Sequence, residues 1–252
     1  KGHDVTFWTS TFSHAPKKNF FSSDTIKIID GVKVHFVYGK GYKKNISLAR
    51  INHQKQFAKS ALSLMSKEIK KPDIIITGIP TIEGASMVME FSKKYDVPYV
   101  ADFRDFWPDD LVHLFPKPFR YFGKLFFARS FKNVKKVVKY SAWIMGSSKM
   151  LVEYAQTFLE KEDLKDTYIM PHGYPEIILS DHQIKNGINY WKTKGINEKK
   201  FNVCFFGTIG KFFNFDTVLK AIQENSELKQ INFIFCGDGS KKGLLSKTSC
   251  WT

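Results

Sequence analysis

A mixed α/β fold on parallel sheet, in two successive units with the second incomplete, is what this sequence predicts. Three observations predict it. Short apolar runs alternate with stretches of three-four apolar spacing, each run leaves at once into a polar or glycine-bearing loop, and a polar tract at 182–200 interrupts the alternation before it resumes.

In chain order, "DVTFWTS" (4–10) reads as a strand, and "TIKIIDGVKVHFVYG" as two short strands around an Asp30-Gly31 turn. Leu48, Ile51, Ala58, Leu62, Met65 and Ile69 mark a helix from about Leu48 to Lys70. "PDIIITG" (72–78) is a buried strand opened by proline, and Thr81 is a fitting N-cap for a helix over Glu83–Lys94. "VPYVADF", "AWIMGSS" and "YIMPHG" add three more strands, with a helix from about Phe119 to Lys139 among them. Apolar runs of this kind imply a parallel sheet covered on both faces. The first domain therefore spans 1–181. The tract 182–200 is polar, glycine-dotted and without evident period, which suits a linker. In 201–252, strand "NVCFFG", a helix over Phe215–Asn225, strand "INFIFCGDG" and a helix starting near Ser240 follow. Two parallel strands do not complete a doubly wound domain.

The apolar share of 43% supports sizeable cores at 252 residues. The first residues lack a signal-peptide pattern, no apolar run reaches membrane-spanning length, and the absence of an initial Met reads as a cut start. Cys204, Cys236 and Cys250 are odd in number, and the first two sit in strand-like runs, so reduced core thiols and a cytosolic setting are expected. Net charge is +15, which suits a polyanion or an anionic lipid surface. Its distribution says more: nine Lys and Arg and no acid lie between Leu111 and Val152. There Phe119, Phe122 and Phe126 supply apolar contact, and Arg120, Lys124, Arg129, Lys132, Lys135 and Lys136 supply charge. A scaffold helix with a solvated lysine face and a helix docked on an anionic bilayer explain this equally well. Nucleic acid ranks last, since no reading module accompanies the patch.

"DFRDFWPDD" (102–110) leaves a strand and at once places four acids, one arginine and three aromatics. A core strand is no place for Asp102, Arg104 and Asp105, and a surface turn needs no Phe106 or Trp107. The mouth of a crevice at the carboxyl ends of parallel strands suits both. "FFGTIGKFF" (205–213) sets Gly207, Gly210 and Lys211 between strand and helix, as an anion-binding turn would; a plain turn has the greater weight on spacing alone. "CGDGSKKG" misses the dinucleotide fingerprint by one residue. The seven histidines make no metal-ligand spacing, and no serine has a G-x-S-x-G setting. His14 lies just past the first strand with Ser13 and Lys17, where a solvated loop histidine outweighs an acceptor contact. His172 reads as a turn residue before Gly173.

Taken in order, these stations resemble a GT-B glycosyltransferase of retaining family 4, of the bacterial O-antigen and capsule type. "KGHDVTFWTSTFSH", "PDIIITGIP", "VPYVADFRDFWPD", "SAWIMGSSKMLVEY", "YIMPHG", "FFGTIGKFFNFDTVLKAI" and "NFIFCGDGSKKGLL" carry the likeness over nearly the whole chain. The resemblance implies two Rossmann-like domains around a nucleotide sugar, UDP-linked in the commonest case, with no cofactor and no required metal. It places Arg104 and Asp105 at the reacting sugar, and His14 and Trp107 on the acceptor side. It places Gly207, Thr208, Gly210, Lys211, Gly237 and Gly239 at the donor's diphosphate and nucleotide. Relatives often hold His where Arg104 stands, and Arg where Thr208 stands. By the same likeness, a first strand would precede Lys1 and a pair of glutamates would follow Thr252. The activity implied is transfer of a sugar to a lipid-linked saccharide by a peripheral protein at the cytoplasmic face of the membrane. The alternative is an inactive remnant that binds an anionic membrane or a partner; a nucleotide-sugar epimerase is a weaker third.

Overall fold

In the computed structural model, residues 2–44, 47–174, 176–196, 199–210 and 213–245 are described. The chain divides into two compact units, Lys1–Gly173 and Tyr174–Thr252.

The first unit opens with β1 (Thr6–Ser10), the short strands β2 (Phe12–Ser13) and β3 (Lys18–Asn19), then β4 (Thr25–Ile29) and β5 (Val32–Val37). β4 and β5 form an antiparallel hairpin because Asp30 and Gly31 both take positive φ, 50° and 79°, the backbone a two-residue hairpin turn needs. β1 runs parallel to β5, so the three-stranded sheet β1-β5-β4 is mixed. Helix α1 (Leu48–Lys67) starts on Ser47, whose hydroxyl accepts from the Arg50 amide.

The second sheet is wholly parallel, in the order β6 (Ile75–Ile79), β7 (Tyr99–Phe103), β8 (Trp143–Gly146), β9 (Thr167–Ile169). Its connections are α2 (Ile82–Tyr95), then α3 (Asp109–Val112), α4 (Arg120–Phe126) and α5 (Ala128–Tyr140), then α6 (Lys149–Gln156). Every residue of β7 is buried, so both of its faces are covered, as its unbroken apolar run requires. α2 packs on β6 and β7, α6 on β7, β8 and β9, and α5 on α2. The core holds Ile79, Phe91, Tyr99, Phe103, Val134, Val137, Val138 and Ile144. The buried Tyr99 hydroxyl donates to the Val137 carbonyl at 2.6 Å and ties α5 to the sheet.

The helix expected over 119–139 is two helices. Phe127 leaves helical geometry at φ −95° and ψ 12° and packs edge-on against Phe115, 6.4 Å away between ring centres. Thr81 does stand before α2, but its hydroxyl donates back to the Gly78 carbonyl instead of capping the helix.

The second unit contains α7 (Asp181–Thr193), β10 (Asn202–Phe206), α8 (Phe215–Glu224), β11 (Asn232–Cys236) and α9 (Lys242–Leu245). The tract read as a linker is thus largely helical. A capping box between Ser180 and Gln183 starts α7, and Ile184, Ile188 and Trp191 keep a spacing of four and three beneath the polar composition. β10 and β11 pair in parallel. Ile209, Phe215, Leu219 and Leu245 form the small core of this unit. Cys204, expected inside, is exposed; Cys236 is partly buried, and Cys250 lies outside the described residues.

Candidate functional site

The polar groups of the first unit gather where β1, β5, β7 and β9 end. Asp102, the fourth residue of β7, is buried, contrary to the expectation that a core strand would refuse it. Its charge is answered at once: Arg104 Nε donates to Asp102 Oδ2 at 2.6 Å. The same guanidinium donates through Nη1 to His172 Nδ1 at 3.0 Å. Because arginine can only donate, His172 Nδ1 is an acceptor, and the imidazole proton resides on Nε2. His172 is therefore more than a turn residue: it and Asp102 fix Arg104 from two sides, with the arginine side chain still 42% exposed.

The rest of "DFRDFWPDD" divides between anchor and mouth. Phe106 packs edge-on against Tyr154, and the Tyr154 hydroxyl donates to Asp109 Oδ2 at 2.7 Å. Trp107 is half-buried against the core, and the Arg50 guanidinium lies 5.1 Å above its ring. Asp105 is exposed on the loop. Partial burial, and then the Asp110 charge, raise its carboxyl above the ordinary range, while Arg50 pulls the other way.

His14 comes from the loop after β2, and its Nδ1 lies 2.6 Å from the Tyr42 hydroxyl and 3.2 Å from Lys17 Nζ. Burial, Lys17 and Arg50 all lower its pKa, so the neutral ring is the form present at pH 7. Arg50 also lies 5.9 Å from the Tyr42 ring centre, which links His14 and Trp107 through Tyr42 and Arg50. Beneath them His53 acts as a strut. Its Nδ1 accepts from the Gly41 amide at 3.2 Å, and Nε2 stands 3.3 Å from Ser10 Oγ. A side chain at Gly39 would meet the His53 ring at 2.7 Å, so the glycine lets the loop after β5 close over it. Burial lowers the His53 pKa and keeps the ring neutral.

Tyr42, Arg50 and His53 were not singled out from the sequence. The signal was available in "YGKGYKKNISLAR" (38–50), a glycine-bearing loop between a strand end and a helix start, where ligand loops of parallel sheets lie.

In the second unit, the glycine loops clasp each other. The Gly207 amide donates to the Cys236 carbonyl at 3.0 Å, Ile209 to Asp238 at 2.9 Å, and Lys241 to Ile209 at 3.0 Å. A side chain at Gly237 or Gly239 would run into the carbonyl oxygen of Gly207 or Ile209. The amides of Gly207, Ile209 and Gly210 are thus already donating, and the α8 N-terminus is capped by the Asn214 side chain. Lys241 and Lys242 face Asp216 and Asp238 at 3.2 and 3.6 Å. Lys211 lies outside the described residues.

Among the described residues, no group of three or more His, Cys, Asp or Glu is placed to hold a metal. A hollow of 390 Å³ lies away from the polar cluster, lined in part by Ile26, His35, Leu64 and Glu68. No described helix is long and apolar enough to cross a membrane. No family model matches the chain, and no curated protein matches it.

Proposed function

We propose that the chain is most of a retaining GT-B glycosyltransferase, its second unit being part of the donor domain. It would transfer a sugar from a nucleotide donor to a lipid-linked saccharide in bacterial surface-polysaccharide assembly. The observation that supports this best is the set of polar groups at these strand ends: Arg104 held by Asp102 and His172, Asp105 and Trp107 following on the same loop, and His14 linked to Trp107 through Tyr42 and Arg50. Such strand ends are where open parallel sheets bind ligands.

In this reading Arg104 supplies fixed positive charge at the reacting sugar, and its two partners hold it in place before reaction. Asp105, with a carboxyl more basic than usual, accepts the proton of the incoming hydroxyl. Trp107 offers a flat apolar face to a sugar ring, and His14 with Tyr42 offers polar contacts to the acceptor. Gly207, Thr208, Gly210 and Lys211 meet the diphosphate, and Gly237 and Gly239 the nucleotide. Since several of those amides already donate to backbone, the loop can bind only through the remaining amides, side chains, or a shift of the clasp.

Calorimetry with UDP and other nucleoside diphosphates tests the donor half. Binding in the micromolar to millimolar range, weakened by Lys211→Gln, supports the reading. A chain that binds none of them removes the donor role given to Gly207, Thr208, Gly210 and Lys211.

A further inference from the structure

The acid-free stretch from Leu111 to Val152 divides into two surfaces with different chemistry. On α5, Val134, Val137 and Val138 are buried, and two lysines have local partners: Lys135 lies 2.7 Å from Glu160 and Lys139 3.1 Å from Asp163. That helix is scaffold. α4 is the reverse. Tyr121, Phe122, Leu125 and Phe126 are 75%, 60%, 66% and 68% exposed, in a helix of seven residues. At 3.6 residues per turn these four side chains share one arc of about 140°, with the exposed Lys124 adjoining it, while Arg120 falls on the far side with its Nε buried. On the opposite side Gly123 is buried, and a side chain there would meet the Phe115 ring at 3.0 Å. α4 is therefore seated on a glycine and presents its aromatic face outward, continued by Phe119 and Leu114 at 54% and 49% exposure.

We infer that α4 lies in the interface of an anionic bilayer, with Phe122, Phe126, Leu125 and Tyr121 inserted among the acyl chains. The exposed Lys117, Lys124 and Arg129 meet the lipid phosphates. A contiguous apolar face of this size needs a cover. The absence of acids through the same stretch selects a negatively charged one, and aromatic side chains flanked by cations suit the headgroup boundary. The helix is too short to span, so it would lie in the plane of the membrane. The inference does not depend on sugar transfer, and vesicle binding can fail or succeed whatever the catalytic reading does.

Co-sedimentation with phosphatidylglycerol–phosphatidylcholine vesicles, against phosphatidylcholine alone, is the test. The chain should pellet with the anionic vesicles and bind the neutral ones about tenfold less well. Phe122→Ser with Phe126→Ser should lower the anionic partition at least about tenfold. Its far-UV circular dichroism should be unchanged, because both side chains already face outward. Lys124→Gln should weaken binding, whereas Lys135→Gln should not. An intact chain that ignores anionic vesicles overturns the inference. So does a double serine variant that binds as the parent does, or a Lys135→Gln effect as large as that of Lys124→Gln. Sedimentation showing a dimer through the same face, lost in the double variant and without vesicle binding, assigns the cover to a second copy instead.

Discussion

β7 and β10 read alike in the sequence and end differently in space. "YVADF" and "NVCFF" are both five-residue apolar runs that exit into loops with functional promise. All of β7 is buried, whereas Val203 and Phe206 of β10 remain 39% and 67% exposed. β7 lies between β6 and β8 with α2 and α6 packed against it; β10 has β11 as its strand partner. A strand's composition states what it is able to bury. What it does bury is decided by its neighbours, and a parallel strand needs them on both edges and both faces.

The largest effect expected follows from that contrast. Phe103→Ala, at a position with no exposure, should cost the first unit about 3–5 kcal/mol. Phe206→Ala, at the matching end of β10, should change stability by less than about 0.5 kcal/mol. Urea unfolding followed by hydrogen exchange resolves the two units. Equal losses would mean that β10 is packed as β7 is.

Glycines sharpen the comparison in the other direction. Gly239→Ala drives a methyl group into the Ile209 carbonyl and strains the backbone, so the second unit should lose about 2 kcal/mol or more. Gly78→Ala in β6 meets nothing within 4 Å and should be neutral within about 0.5 kcal/mol. Thermal unfolding of both variants measures this. A harmless Gly239→Ala would leave the clasp of the two loops without its reason, and those glycines free for a ligand.

Strand runs and helix periods placed the main strands of both units and most of the longer helices, because apolar spacing is local information. The turn at Asp30-Gly31 was legible for the same reason. Three features were not. α7 hid under a polar composition, although Ser180 and Gln183 spell its capping box and Ile184, Ile188 and Trp191 its period. Asp102 reads as misplaced until Arg104 is seen folding back two residues onto it. His172 reaches Arg104 across 68 positions of sequence, a contact that only the parallel order β7-β8-β9 creates.

Charge pairs give a smaller contrast. Arg104→Gln leaves Asp102 buried with a weaker donor, which should cost the first unit about 1–3 kcal/mol. Adding Asp102→Asn should recover part of that loss. Lys241→Gln, across from the exposed Asp216, should cost less than about 1 kcal/mol, as surface pairs do. A double-mutant cycle on each pair, read by urea unfolding, should give a clearly larger coupling for Asp102–Arg104. Equal couplings would show that burial of Asp102 adds nothing to its pair.

The smallest effect is one of pH, and it too separates the units. In the first, burial lowers the pKa of His14, His35 and His53 below 6.5. The unfolded chain then binds protons more readily than the folded one, so this contribution is present above pH 6.5 and fades as the pH falls below it. Asp105 acts with the opposite sign: its raised carboxyl adds stability as the pH drops toward 3.8. The first unit should therefore weaken just below pH 6.5 and weaken less steeply further down. The second unit, which has no buried histidine among its described residues, should show no such step. His53→Gln, which retains an acceptor for the Gly41 amide, should flatten the first slope without removing it. Hydrogen exchange across that pH range, corrected for intrinsic rates, makes the measurement. If both units lose protection in parallel, the buried histidines are not its cause, and the strut beneath the loops would have to be sought elsewhere than in His53.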